Sequence, residues 1–220
     1  MLKKPIEAVL FDMDGLLIDT EAVYIKAYHA AAQTFGVEMS MALCHSMIGV
    51  PSVECEAMIQ AHFGAAFQVD KFQLCFREHA EQLMADEVPV KAGVRELLAY
   101  LAGRSLPMAV ATSARPETVE THLGRAGLLG HFKAIATRHD VARPKPFPDV
   151  YLEAARRLGV APERCIAFED SNVGLTAAHA AGTMAFMVPD ILPPTPEIRA
   201  KCLQVLPDLH AALTLLQAQL

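Results

Sequence analysis

The sequence of 220 residues predicts an α/β protein, a doubly wound parallel sheet that carries a helical domain inserted after its first strand. Three observations predict it. Short aliphatic runs alternate with stretches of helical periodicity, and several of those runs end on carboxylates or hydroxyls. Asp14 and Thr112, which follow the first two strong runs, stand 98 positions apart, whereas one crossover with its helix needs roughly 30 residues.

Along the chain, residues 6–11 form an aliphatic run ending at Asp12, the pattern of a buried parallel strand with a polar tip. The stretch 16–89 has apolar residues at helical spacing over 23–35, 53–63 and 72–84, so it reads as a small helical bundle. A strand over 107–111 ends in Thr112 and Ser113, a weaker one covers 134–136, and one over 165–168 ends in Glu169 and Asp170. A run over 184–188 makes four or five in all. Helices over 94–101, 117–125, 150–158 and 173–180 lie between them, several closing at Gly103, Gly127, Gly159 or Gly182. Residues 189–196, with four prolines, read as a surface loop before a final amphipathic helix near 209–216. The expected domains are 1–15 with 90–220, and 16–89. Right-handed crossovers would gather the strand tips along one edge, where ligands bind in such folds.

Composition excludes several function classes. Lys and Arg number 19 against 25 Asp and Glu, for a formal charge of -6, with 53% hydrophobic and 20% charged residues. That balance describes a folded protein with a mildly acidic surface, which has no general attraction for nucleic acid or an anionic membrane. No apolar run approaches the roughly 20 residues of a membrane span. Cys44, Cys55, Cys75, Cys165 and Cys202 are scattered without metal-site spacing and read as free thiols. The chain leads directly into a strand-like run without the pattern of a secretory leader, so a cytoplasmic protein is expected, monomeric by default. The nine histidines lack the i, i+4 pairing of a zinc helix.

Four clusters carry chemistry. Asp12-Met13-Asp14-Gly15 puts two carboxylates at the first strand tip, and like charges so close favour a bound cation or a task as general acid. Taken alone, the pair reads equally as a turn cap. Thr112 and Ser113 end the next strand with hydroxyls that can donate to phosphate oxygens, or simply cap a helix. Lys145 stands among three prolines, which fix its point charge where it suits a phosphate. Glu169 and Asp170 end the fourth strand just before a helix whose N-terminus favours anions. Together, three strand tips and one stiffened loop supply a constellation that four separate capping roles do not explain. Carboxylates with a neighbouring carbonyl make an oxygen site suited to magnesium.

These residues resemble the haloacid dehalogenase (HAD) superfamily, whose four motifs match Asp12-Met13-Asp14-Gly15, Thr112, Lys145 and Glu169-Asp170 in order. The strings DMDGLLIDTE from Asp12 and FEDSNVG from Phe168 are similar to the subgroup of beta-phosphoglucomutase and sugar-phosphate phosphatases. The resemblance implies a HAD-like, Rossmann-like core with a helical cap. It implies that Asp12 is the nucleophile and forms an aspartyl-phosphate, while Asp14 protonates the leaving oxygen and then activates water. It further implies Mg2+ held by Asp12, the main-chain carbonyl of Asp14 and Asp170, with Glu169 ligating or orienting the metal, and Thr112 and Lys145 neutralising the phosphoryl group. The substrate would be a small phosphorylated metabolite, a sugar phosphate foremost. Ser113, Arg115 and Arg77, with residues 48–52, are the expected substrate-binding positions, Arg115 as a clamp for a distal phosphate or carboxylate.

The chain also departs from the family pattern. Pro144 replaces the usual Gly or Ser before the motif lysine, Phe147 replaces a residue that is often small, and Tyr24 stands where the mutases have a cap histidine. Tyr24 favours a phosphatase over a phosphosugar mutase. A phospho-receiver, whose phosphoacceptor lies on a middle strand, and a non-catalytic binding protein are the readings from other classes.

Overall fold

The computed structural model describes residues 5–48, 50, 52–86 and 88–219. It divides into two compact units, one taking the chain up to Asp19 and from Pro89 onward, the other Thr20–Val88. In the first unit β1 (Ala8–Phe11), β2 (Met108–Ala111), β3 (Ala134–Ala136), β4 (Cys165–Glu169), β5 (Met184–Met187) and β6 (Gln204–Val205) form one sheet in the order β3-β2-β1-β4-β5-β6. Every pairing is parallel. From β1 the chain winds outward through β2 and β3, then returns to place β4 on the other side of β1. The winding direction therefore reverses between β1 and β4, and the carboxyl ends of those two strands flank the crevice where such sheets bind ligands.

β1, β2, β4 and β5 are buried throughout because helices cover them. One face is built of small side chains, among them Ala8, Ala109, Ala111, Ala167 and Ala185. This lets α7 (Asp149–Leu158) and α8 (Asn172–Ala180) pack closely through Ala154, Ala155, Ala177 and Ala178. Alternate residues turn the other way, and Phe11, Phe168 and Phe186 make a row of rings with neighbouring centroids 5.6 Å apart. Side-chain caps start the helices where the sequence supplies them. Ser171 accepts from Gly174 N, and Asp208 accepts from Ala211 N at the start of α10 (Leu209–Gln217), which packs on α5 (Val94–Gly103).

The second unit contains α1 (Thr20–Thr34), α2 (Met41–Ser46), α3 (Ser52–Phe63) and α4 (Val69–Asp86). Its core is formed by Ala31, Met39, Cys44, Cys55, Ile59 and Phe72. Tyr28 stacks on Phe76 with centroids 4.0 Å apart and ties α1 to α4.

Three expectations are corrected. Leu16 to Asp19 and Pro89, assigned to the insertion, stay with the sheet unit: Leu17 and Ile18 amides donate to Met13 O, Ile18 bridges Val90, and Asp19 N donates to Pro89 O at 2.9 Å. The sheet has six strands where four or five were expected, because the two residues of β6 are too few to show a period. The proline-rich loop runs into a helix, α9 (Pro196–Lys201), since Thr195 accepts from Ile198 N and Pro196 occupies the first turn, where a missing N–H costs nothing. No described helix is long and apolar enough to cross a membrane.

Candidate active site

β1 delivers Asp12 to the crevice. Its amide extends the ladder to Phe168 O at 3.1 Å, and then Gly15, at φ 80°, turns the chain so that its N–H meets Ile18 O at 2.8 Å. The left-handed conformation needed for that turn suits glycine. Asp12 is only 7% exposed. On the adjacent strand β2, Thr112 is buried, its N–H donating to Ala136 O and its Oγ1 accepting from Ala114 N.

Lys145 reaches the same place from the loop before α7, its peptide to Pro146 being cis. Its Nζ donates to Asp12 Oδ1 and Glu169 Oε1, each at 2.6 Å, and lies 5.1 Å from the centre of the Tyr151 ring. Burial alone would lower the affinity of Lys145 for its proton, but the Asp12 and Glu169 carboxylates outweigh it and hold the ammonium form well above its usual range. Glu169, fully buried at the end of β4, has each oxygen engaged. Oε1 accepts from Lys145 and from Tyr151 OH at 2.8 Å, and Oε2 accepts from Ser171 N and Oγ at 3.1 Å.

Asp170 differs. Its Oδ1 is buried without a hydrogen-bond partner, and burial followed by repulsion from Glu169 and Asp12 pushes its carboxyl well above the usual range. Asp12 is pushed up to about 7, chiefly by burial, with Lys145 opposing and Glu169 and Asp14 reinforcing. One oxygen from each of Asp12, Glu169 and Asp170 lies within 4.8 Å of the others. Three carboxylates against one ammonium leave a deficit that a divalent cation offsets. The donors are all oxygen, and Asp170 presents an oxygen with nothing to bind. The cradle beside Asp170 exists because Gly15 lacks a side chain, since a Cβ there would overlap Asp170 Oδ2. The residues therefore fit a hard divalent cation.

The structure brings together Asp12, Lys145, Glu169 and Asp170, with Thr112 on the neighbouring strand end. Asp14 follows two residues after Asp12, and its carboxylate is outside the trio. Ser113 and Arg115 are exposed and line an open depression of about 600 Å³ with Arg138, His139 and Val141. Arg77 is exposed on α4 of the helical unit. Ile48 lines a cavity of about 350 Å³ within that unit, together with Tyr24 and Tyr28. Gly49 and Pro51, from the expected substrate segment, lie outside the described residues. Sequence reasoning missed Tyr151, which looks like one more apolar position of α7, and Arg138, which carries no motif. It also missed the Lys91–Asp190 pair, whose members are 99 positions apart.

Comparison with known proteins agrees with this geometry. The family of haloacid dehalogenase-like hydrolases matches residues 9–188. A phosphorylated carbohydrates phosphatase of Thermotoga maritima is 32% identical over 80% of this chain and 82% of its own. A solved Thermotoga maritima structure bearing the name of a beta-phosphoglucomutase superposes with a TM-score of 0.86 at 29% identity, covering 98% of this chain and 100% of that one. A mutant of Rhodobacter sphaeroides CbbY in complex with xylulose-(1,5)bisphosphate gives 0.71 at 28% identity, over 93% and 95%. With its carboxylates at the ends of β1 and β4 and Lys145 between them, the chain belongs to the haloacid dehalogenase-like hydrolases and is an enzyme of that family.

Proposed function

We propose that the protein is a magnesium-dependent phosphatase that hydrolyses a small phosphorylated metabolite, a sugar phosphate foremost, through an aspartyl-phosphate on Asp12. The observation that carries this reading is the buried Asp12 carboxylate at the β1 tip, paired with Lys145 at 2.6 Å and within oxygen reach of Asp170. The phosphatase name and cover of the Thermotoga maritima relative support the substrate class.

In the first half-reaction an oxygen of Asp12 forms a bond to phosphorus as the ester oxygen departs, and Asp14 gives that oxygen its proton. In the second, water attacks phosphorus, Asp14 takes the water's proton, and the Asp12 carboxylate leaves as inorganic phosphate forms. Lys145 and Thr112 face the charge on the transferring phosphoryl group. Magnesium, held by Asp12, Asp170 and the main-chain carbonyl of Asp14, would supply further positive charge there when bound. Glu169, with its oxygens committed to Lys145, Tyr151 and Ser171, orients the lysine from behind.

The test is phosphate release from phosphorylated sugars, polyols, nucleotides and p-nitrophenyl phosphate, with magnesium or EDTA. Asp12→Asn should lower the rate by more than about a thousandfold, as expected for loss of a nucleophile, and EDTA should abolish release. Faster glucose 6-phosphate formation than phosphate release from beta-glucose 1-phosphate would instead make the protein a mutase. Equal rates in Asp12→Asn would overturn the mechanism.

A further inference from the structure

An ion pair that the proposed reaction does not use lies beside the carboxylates. Lys91 Nζ donates to Asp190 Oδ1 at 2.5 Å and stands 3.8 Å from Asp19 Oδ1. Its backbone is fixed by an N–H bond to Leu17 O at 3.1 Å. Asp190 follows β5 by three residues, and its side chain is 10% exposed. Lys91 satisfies one carboxylate oxygen. The other, Oδ2, is buried and has no hydrogen-bond partner, the same condition as Asp170 Oδ1.

Both carboxylates border one point. A Cβ on Gly15 would overlap Asp170 Oδ2 and come within 3.3 Å of Asp190 Oδ2. A buried carboxylate oxygen left without a donor is costly, and native proteins rarely keep one unless a ligand or water supplies the missing partner. Asp190 Oδ2 beside Gly15, and Asp170 Oδ1 on the carboxylate whose other oxygen borders Gly15, point to donors that arrive with a bound group. Asp190 is not among the carboxylates whose oxygens lie within 4.8 Å of one another, which among the described residues are Asp12, Glu169 and Asp170. It thus lies beside that group rather than within it. Magnesium keeps several of its waters when protein carboxylates bind it, and those waters are hydrogen-bond donors of the kind Asp190 Oδ2 lacks.

We propose that Asp190 is a positioning residue of the metal centre, accepting a hydrogen bond from the hydration water of the bound cation, while Lys91 fixes its carboxylate through the other oxygen. Lys91 and Asp190 come from distant parts of the chain, so the centre would be braced by the segment after the helical insertion and by the loop after β5. The inference rests on the reading of Asp12 and Asp170 as magnesium ligands.

Magnesium binding is measured by calorimetry on EDTA-stripped full-length protein without substrate, so that turnover plays no part. Wild type, Asp190→Asn, Asp190→Glu, Lys91→Gln and Asp170→Asn are compared, with the apparent Tm of each metal-free protein recorded alongside. Loss of a residue that supports a ligand set in this way typically weakens metal binding by about 10- to 100-fold. Asp190→Asn should show a loss of that size with a metal-free Tm close to wild type, and Asp190→Glu should recover part of the affinity. Lys91→Gln should weaken binding several-fold and gives a second measurement if Asp190→Asn does not fold. Asp170→Asn should bind no magnesium. Wild-type affinity in both Asp190→Asn and Lys91→Gln would overturn the role of Asp190 while leaving the metal reading intact. Absence of magnesium binding by wild type would overturn both.

Discussion

Gly174 shows how closely the site is packed at single residues. It is the third residue of α8, and a Cβ added there would run into all three atoms of the Glu169 carboxylate group. That carboxylate cannot shift freely, because it accepts from Lys145, Tyr151 and Ser171 at once. Gly174→Ala should therefore cost about 1–3 kcal/mol, the usual range for overpacking a filled interior. It should also reduce kcat, because displacing Glu169 releases Lys145 from its position beside Asp12. Urea unfolding and steady-state kinetics of the one variant check both effects; a fully active variant of wild-type stability would show that Glu169 can move without consequence. The glycine was legible in the sequence as part of the string FEDSNVG, but its reason was not. That reason is the close approach of a buried carboxylate to a helix backbone, and no pattern of residue types reports a distance.

At the scale of elements, the start of α6 (Pro116–Arg125) carries the substrate prediction. Arg115 is its N-cap and makes no side-chain cap, and Pro116 follows it. The turn Arg138–Asp140 lies alongside, since Arg138 N donates to Ala114 O at 3.4 Å and a capping box between Thr137 and Asp140 fixes that turn. Arg115 and Arg138 thus face one open depression with Ser113. A substrate with a second anionic group would meet both guanidinium groups there, and each hydrogen bond from a charged donor contributes about 1.5–3 kcal/mol. Arg115→Ala and Arg138→Ala should each raise KM by about ten- to a hundredfold for such a substrate while leaving p-nitrophenyl phosphate nearly unaffected. Equal losses on both substrates would remove the depression from substrate binding. Arg115 was legible because it lies three residues after Thr112, whereas Arg138 lies in a short turn after the three-residue strand β3 and had no motif to mark it. The same limit explains β6 and α2, which have two and six residues. Periods of 2 and 3.6 need several repeats to be seen, so β1, β4 and α7 were readable and these short elements were not.

For the whole molecule, the buried carboxylates link stability to pH and to metal. Asp12 is raised from 3.8 to about 7, mainly by burial, so the metal-free folded protein holds this proton more tightly than the unfolded chain does. The stability contributed by that proton is fully present below the unfolded value and is lost as pH rises through about 7. Asp170 is raised in the same direction and adds to the loss. His122 acts oppositely, because burial and Arg125 lower its affinity for a proton, which reduces stability as pH falls below its ordinary value of 6.5. That contribution is common to wild type and Asp12→Asn, so the difference between them reports Asp12 together with its repulsion of Asp170. Over its titration a single group changes stability by at most about 1.4 kcal/mol per pH unit, and 1 kcal/mol moves the Tm of a protein of this size by about 2–4 °C. In EDTA, the apparent Tm of wild type relative to Asp12→Asn should therefore fall by a few degrees between pH 6 and pH 8. Magnesium binds the ionised form, so it should raise the wild-type Tm more at pH 8 than at pH 6 and have little effect on Asp12→Asn. Parallel Tm profiles for the two proteins in EDTA would mean that Asp12 stays ionised across this range without a cation, with Lys145 alone neutralising its charge.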